Sequence, residues 1–270
     1  MSTHSALQPV HETGWRRGFA NLLSKETGAW WRTRRWLVQT IIWVAILNGI
    51  LAMLLFAVPD AEVTAQGVAD RPSEGALVFM TLSLVALAIG VIIIAQEAIL
   101  DETRSGTAAW VLSKPVSRVA FILSKLIAHG LGLLATGVLI PGTLALILLS
   151  AAGGSIAPGG FVAALGMAFL NVLFYLTLTL MLGTLFEARG AVIGIPMAFV
   201  FGYQLLLGLA PWLADITPWG FLGQAASPVP PITQVALGQA TPPLAPILAT
   251  ALWCVLFTAV ALWRFGREEF

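Results

Sequence analysis

The chain has 270 residues, 58% of them hydrophobic and 10% charged, with a mean hydropathy of +0.90. A soluble domain carries about 25% charged residues, so this chain cannot cover its surface in water and has the composition of an integral membrane protein. The net charge of +1 gives no footprint for nucleic acid, and the single cysteine, Cys254, excludes an internal disulfide.

Residues 1–14 read as a disordered polar tail. They show no apolar core followed by a small-residue cleavage site, so no signal peptide is expected there. Residues 15–36 read as an amphipathic interfacial helix. Trp15, Phe19, Leu22 and Leu23 recur at helical spacing opposite Arg16, Arg17, Ser24 and Lys25, and Trp30, Trp31 and Trp36 sit among Arg32, Arg34 and Arg35. Indoles beside cations suit the headgroup layer of a membrane, so lipid is an expected partner.

Residues 37–270 read as a single transmembrane domain. A crossing helix needs about 20 apolar residues for a hydrocarbon core of roughly 30 Å. Six runs qualify: Leu37–Val58, Ala76–Gln96, Val119–Ser150, Phe161–Phe186, Ala191–Ala210 and Leu244–Trp263. Lipid satisfies no backbone amide, so each must be helical and the fold all-α. Lys125 and His129 suggest that the first turns of the third run project to the membrane boundary. Pro141 and Pro196 fall inside the third and fifth runs, where kinks are expected. Of fourteen Lys and Arg residues, only Arg71 falls on the far side of the membrane in this topology. That bias places both termini and the 97–118 loop in the cytoplasm of a cell-membrane protein. The stretch 211–243 is rich in proline yet apolar, without Lys or Arg. It reads as short re-entrant or interfacial helices near Trp219–Ala226 and Thr233–Gly238, before the last span.

Several chemistries are missing. No Gly-x-x-x-x-Gly-Lys-Ser/Thr sequence is present, so the chain is not expected to hydrolyse ATP by itself. His129 is the only histidine within a span and has no acid within a helical turn, which argues against a triad or a metal site. No enzyme activity and no cofactor are expected. Proton-coupled carriers need a carboxylate at mid-membrane, and the spans hold none. Asn48, Asn171, Tyr175 and Thr179 read as interhelical hydrogen-bonding groups.

The stretch from Gln96 to Arg118 carries both charge signs between two membrane-length helices. Glu97, Asp101 and Glu102 follow helical spacing, and Ser105-Gly106-Thr107 breaks the helix. Ala108 to Leu112, with Trp110, forms a short apolar turn. Ser113, ahead of Pro115, or Ser117 restarts a helix as N-cap.

This run resembles the membrane subunit of the type-2 ABC transporters, the exporter-like permease family. The matching residues are Glu97, Glu102, Gly106-Thr107, Leu112-Ser113, Pro115-Val116-Ser117-Arg118 and Lys125, together with Lys25-Glu26 in the N-terminal helix. The resemblance implies a half-transporter, in which two permease subunits, alike or different, pair with two separate ATPase subunits. The 101–113 element would be the coupling helix in a groove of the ATPase. Coupling would rest on Glu97, Asp101, Glu102, Gly106, Thr107, Trp110, Leu112, Pro115 and Arg118, with Glu187 and Arg189 forming a smaller second contact. The N-terminal helix would be an elbow helix on the membrane. Two other readings remain beside it: a membrane anchor or signalling subunit that moves no cargo, and a secondary carrier without an ATPase.

Overall fold

The computed structural model describes residues 14–59, 70–105, 110–111, 113–154, 156–223 and 229–267. Every regular element among them is helical. A short turn at Gly14–Arg16 leads into α1 (Phe19–Trp31), which buries Leu22, Glu26 and Trp30. The spans follow as α2 (Arg35–Ala57), α3 (Arg71–Glu102), α4 (Arg118–Ala151) and α5 (Pro158–Leu185). A bent pair comes next, α6 (Arg189–Phe201) and α7 (Tyr203–Leu209). Two short helices, α8 (Leu213–Ile216) and α9 (Pro231–Ala236), precede α10 (Leu244–Gly266). Five helices are long and apolar enough to cross a membrane, and counting the bent pair gives up to six.

The bundle is organised around α5. Two-thirds (67%) of its most apolar window is buried, against 28% for α2 and 17% for α10, so α5 is the central helix and the other two are peripheral. It packs on α3, α4, α6, α9 and α10. Apolar residues gain little by leaving lipid for protein, so close packing and interhelical hydrogen bonds must hold these contacts. Asn171 of α5 donates from Nδ2 to Leu84 O of α3 at 2.9 Å. Phe174 meets Tyr175, Phe199 and Phe257, with ring centroids 5.2–5.9 Å apart. Asn48 of α2 donates to Pro141 O of α4 at 2.9 Å.

Indoles set the approach of α1 and α2 to the bundle. Trp43 is wedged between Gly90 of α3 and Gly137 of α4, and Trp30 lies on Gly132 of α4. A Cβ at Gly132 would stand 2.5 Å from Trp30 Cδ2, so a side chain there would push α1 away. Single π-helical turns interrupt α2 at Val44–Asn48 and Met53–Ala57, and α4 at Leu134–Leu139. Such turns rotate the side chains that follow them.

The structure departs from the sequence reading within the fifth run. Pro196 lies inside α6 without breaking it, and the 58° bend falls at Gly202. Glycine permits this close fold, because a Cβ at Gly202 would meet Ala198 O at 2.6 Å. Lys125 and His129, in the first turns of α4, gain a cover that the sequence does not mark. Both are buried, because α1 closes over the face of α4 that carries them. Within 211–243 the described residues form short helical turns, and residues 224–226 of the expected Trp219–Ala226 helix lie outside them. Pro218–Phe221 and α9 are buried, Trp219 packs on Phe199 at 4.3 Å, and Trp253 Nε1 donates to Ile216 O at 2.8 Å.

Candidate functional site

The charged residues at one end of the bundle converge on the loop between α3 and α4. The last turns of α3 are strongly two-faced. Ile99 and Leu100 are buried, while Glu97 and Asp101, one turn apart, face outward. Both carboxylates reach Arg189 Nη2 at the start of α6, at 3.5 and 3.4 Å. All three side chains are about half exposed, so these pairs add only roughly 0–1 kcal/mol. They orient α3 against α6.

Glu102 turns the other way, into a buried cluster. Lys125 Nζ of α4 lies 3.0 Å from Glu102 Oε1 and 3.1 Å from Glu26 Oε1 of α1. Lys25 Nζ closes the group at 3.2 Å from Glu102 and 3.7 Å from Glu26. Two lysines face two glutamates, so the cluster is neutral. The Lys125 side chain is 3% exposed and that of Lys25 is 51% exposed, which makes Lys125 the buried centre. Its ammonium also lies 4.9 Å from the Phe121 ring centroid. A lysine so buried requires counter-charges, and here they come from two other helices. The cluster therefore ties the base of the loop to α1 and α4.

Trp30 and His129 extend this contact. Their rings meet edge to face at 5.8 Å, and His129 Nδ1 lies 2.9 Å from Lys125 O. The Arg35 guanidinium sits 4.8 Å above the Trp30 ring. His129 thus serves packing between α1 and α4. Among the described residues, no group of three or more His, Cys, Asp or Glu side chains is arranged to hold a metal.

Beyond Glu102, Ser105 is exposed. Gly106, Thr107 and Leu112 lie outside the described residues. Trp110 is 62% exposed, with Lys114 Nζ 3.6 Å from its ring centroid, whereas Val111 is buried. Ser113 Oγ donates to Trp110 O at 2.8 Å, and Pro115 is exposed at a bend. Of the two candidate caps, Ser117 starts the helix: its Oγ accepts from Ala120 N at 2.9 Å. The same hydroxyl donates to Trp15 O at 2.6 Å, and Ser117 N donates to Arg17 O at 2.9 Å. Gly18, at φ 75°, leaves room for Val116, whose Cγ2 would lie 2.9 Å from a Cβ there. Arg118 Nη1 donates to Gly266 O at 2.7 Å, at the end of α10. Glu187 is exposed at the same end, between α5 and α6.

The predicted residues therefore fall into distinct groups. Glu97 and Asp101 meet Arg189, Glu102 joins the buried cluster, Trp110 stands outward, and Arg118 turns inward. Lys25, Glu26 and Lys125 carry part of the family resemblance, but nothing in their spacing marks them as one ionic cluster. The available signal was Lys125, the one cation inside an apolar run, which demands carboxylates from elsewhere in the fold.

The sequence profile of the ABC-2 family transporter protein matches residues 20–270. A search of curated proteins finds no significant match. The matched region spans α1, every membrane helix and the charged loop. The chain therefore belongs to the ABC-2 transporter family, as a multi-pass membrane subunit of an ABC transporter.

Proposed function

We propose that this subunit couples ATP hydrolysis on a separate ATPase to the export of a substrate across the cell membrane, and that the 101–113 element is the point of coupling. Two permease subunits, alike or different, assemble with two ATPase subunits. Both termini and the loop face the cytoplasm, and α1 lies on membrane lipid. The observation that carries this reading is the contrast within the loop. An exposed Trp110, braced by Lys114, stands on a base fixed by the buried Glu26–Lys125–Glu102 cluster. An exposed indole needs a cover, and an apolar groove of the ATPase supplies it. When the ATPase pair closes, displacement of Trp110 reaches α3 through the helical turns that carry Glu102. It reaches α1 and α4 through Glu26 and Lys125. Glu187 and Arg189 form a second, smaller contact, and Gly106, Thr107, Leu112 and Pro115 shape the element.

The test is gentle extraction of the chain from its native membrane, followed by an assay of vanadate-sensitive ATP hydrolysis on what accompanies it. The reading predicts a stoichiometric ATPase whose hydrolysis is no longer tied to transport in Trp110→Ala or Gly106→Pro. Recovery of the chain alone, or normal coupling in both variants, counts against it.

A further inference from the structure

The exit of the loop is fastened to the end of the last span. Arg118 is the first residue of α4, and its Nη1 donates to Gly266 O at 2.7 Å, with Phe265 O at 3.5 Å. These are carbonyls of the last turn of α10. They also carry the negative end of its dipole, where a guanidinium is favourably placed. One turn along α4, Phe121 stacks on Phe265 with centroids 5.1 Å apart and planes 6° apart. Phe121 and Phe265 are both buried. The neighbouring residue, Ser117, is bonded to Trp15 and Arg17 at the N-terminal turn. Residues 116–118 thus join three chain segments that are far apart in sequence.

α10 is otherwise a peripheral helix. It packs on α5 and α4 and touches the short turns at the opposite end of the bundle, where Trp253 holds Ile216 O. At the charged end, its described polar tie to the loop is the Arg118 clasp.

We propose that Arg118 is a positioning residue that makes the last span move with the loop. It does not contact the ATPase; it passes displacement of the loop exit to α10, and α10 carries that displacement to the turns at the opposite end. This inference rests on the coupling role given to the loop above. Its chemistry is donation from one charged nitrogen, Nη1, to helix-terminal carbonyls. The buried stack of Phe121 on Phe265 keeps that contact from slipping.

The test uses the full chain in lipid nanodiscs, with Cys254→Ser and spin labels at two pairs of exposed positions. The first pair, Ser113 and Leu256, reports the loop exit against the last span. The second, Leu205 and Leu256, reports the last span against α7. In the free chain, the Ser113–Leu256 distance should be narrowly distributed. It should broaden in Arg118→Met, broaden less in Phe265→Leu, and narrow again in Arg118→Lys, which can still donate to the carbonyls. With the ATPase bound, vanadate trapping should shift the Leu205–Leu256 distance in the parent chain and in Arg118→Lys. In Arg118→Met that shift should be lost while the ATPase still co-purifies. An unchanged Ser113–Leu256 distribution in Arg118→Met overturns the proposal, as does a full trapping shift in that variant. Failure of the parent chain to bind any ATPase overturns the coupling role itself. The free-chain distribution, which needs no partner, still decides whether the clasp exists.

Discussion

Replacing Lys125 by methionine removes the buried centre of the ionic cluster while keeping the aliphatic stem. The change turns a neutral group of two lysines and two glutamates into one with a net charge of −1. Glu26 and Glu102, which Lys125 holds at 3.1 and 3.0 Å, then rely on Lys25 alone. Breaking a buried pair by removing one partner costs about 3–5 kcal/mol, because the other charge stays uncompensated. Lys25 can move inward, so the lower end, about 3 kcal/mol, applies. Lys25→Met removes a half-exposed partner and should cost only about 0–1 kcal/mol. The assay is thermal unfolding of the detergent-solubilised chain, with each single variant beside Glu26→Gln/Glu102→Gln/Lys125→Met. The triple variant has no uncompensated carboxylate in the cluster and should recover part of the stability lost in Lys125→Met. If Lys125→Met is no less stable than Lys25→Met, the cluster does not fix the base of the loop. If the triple variant is worse than Lys125→Met alone, the cost is one of packing and not of unpaired charge.

Two further changes probe the attachment of α1 and α2. Gly132→Ala places a Cβ against Trp30, which His129 and Arg35 keep from swinging aside. Overpacking of this kind should destabilise by about 1–3 kcal/mol in the same unfolding assay. Gly166→Ala, where a Cβ meets nothing, should be neutral or stabilise by up to about 1 kcal/mol through helix propensity. Asn48→Leu removes the bond to Pro141 O and should cost about 0.6–1.7 kcal/mol, as interhelical bonds in membranes do.

The spans were legible because lipid leaves an apolar run of membrane length only one backbone solution. The observed bounds of α2, α4, α5 and α10 lie within a few residues of those read from hydropathy. The fifth run shows the limit. Proline marks a place where a helix is weakened, but α6 passes through Pro196 and the chain bends at Gly202, where a carbonyl can approach. The π-helical turns have no local signature; those at Val44–Asn48 of α2 and Leu134–Leu139 of α4 lie where the two helices meet through Trp43 and Asn48. At the charged end, Glu97 and Asp101 were legible as one face by spacing, and Ser117 as one of two caps. The cover over Lys125 was not legible, because its carboxylates come from α1 and from the end of α3, where no helical period can point. Arg118 was grouped with the loop by motif, yet its guanidinium faces α10, a contact that only the assembled bundle creates.

Photo-cross-linking decides whether an ATPase subunit covers the exposed Trp110. A photoreactive phenylalanine analogue is placed at position 110, and a control is placed at Trp212, also exposed but beside the short helices at the opposite end of the bundle. Irradiation in native membranes should join position 110 to a separate ATPase subunit, and position 212 should not capture it. No ATPase adduct at position 110, or equal capture from both positions, would rule out that Trp110 seats in the ATPase.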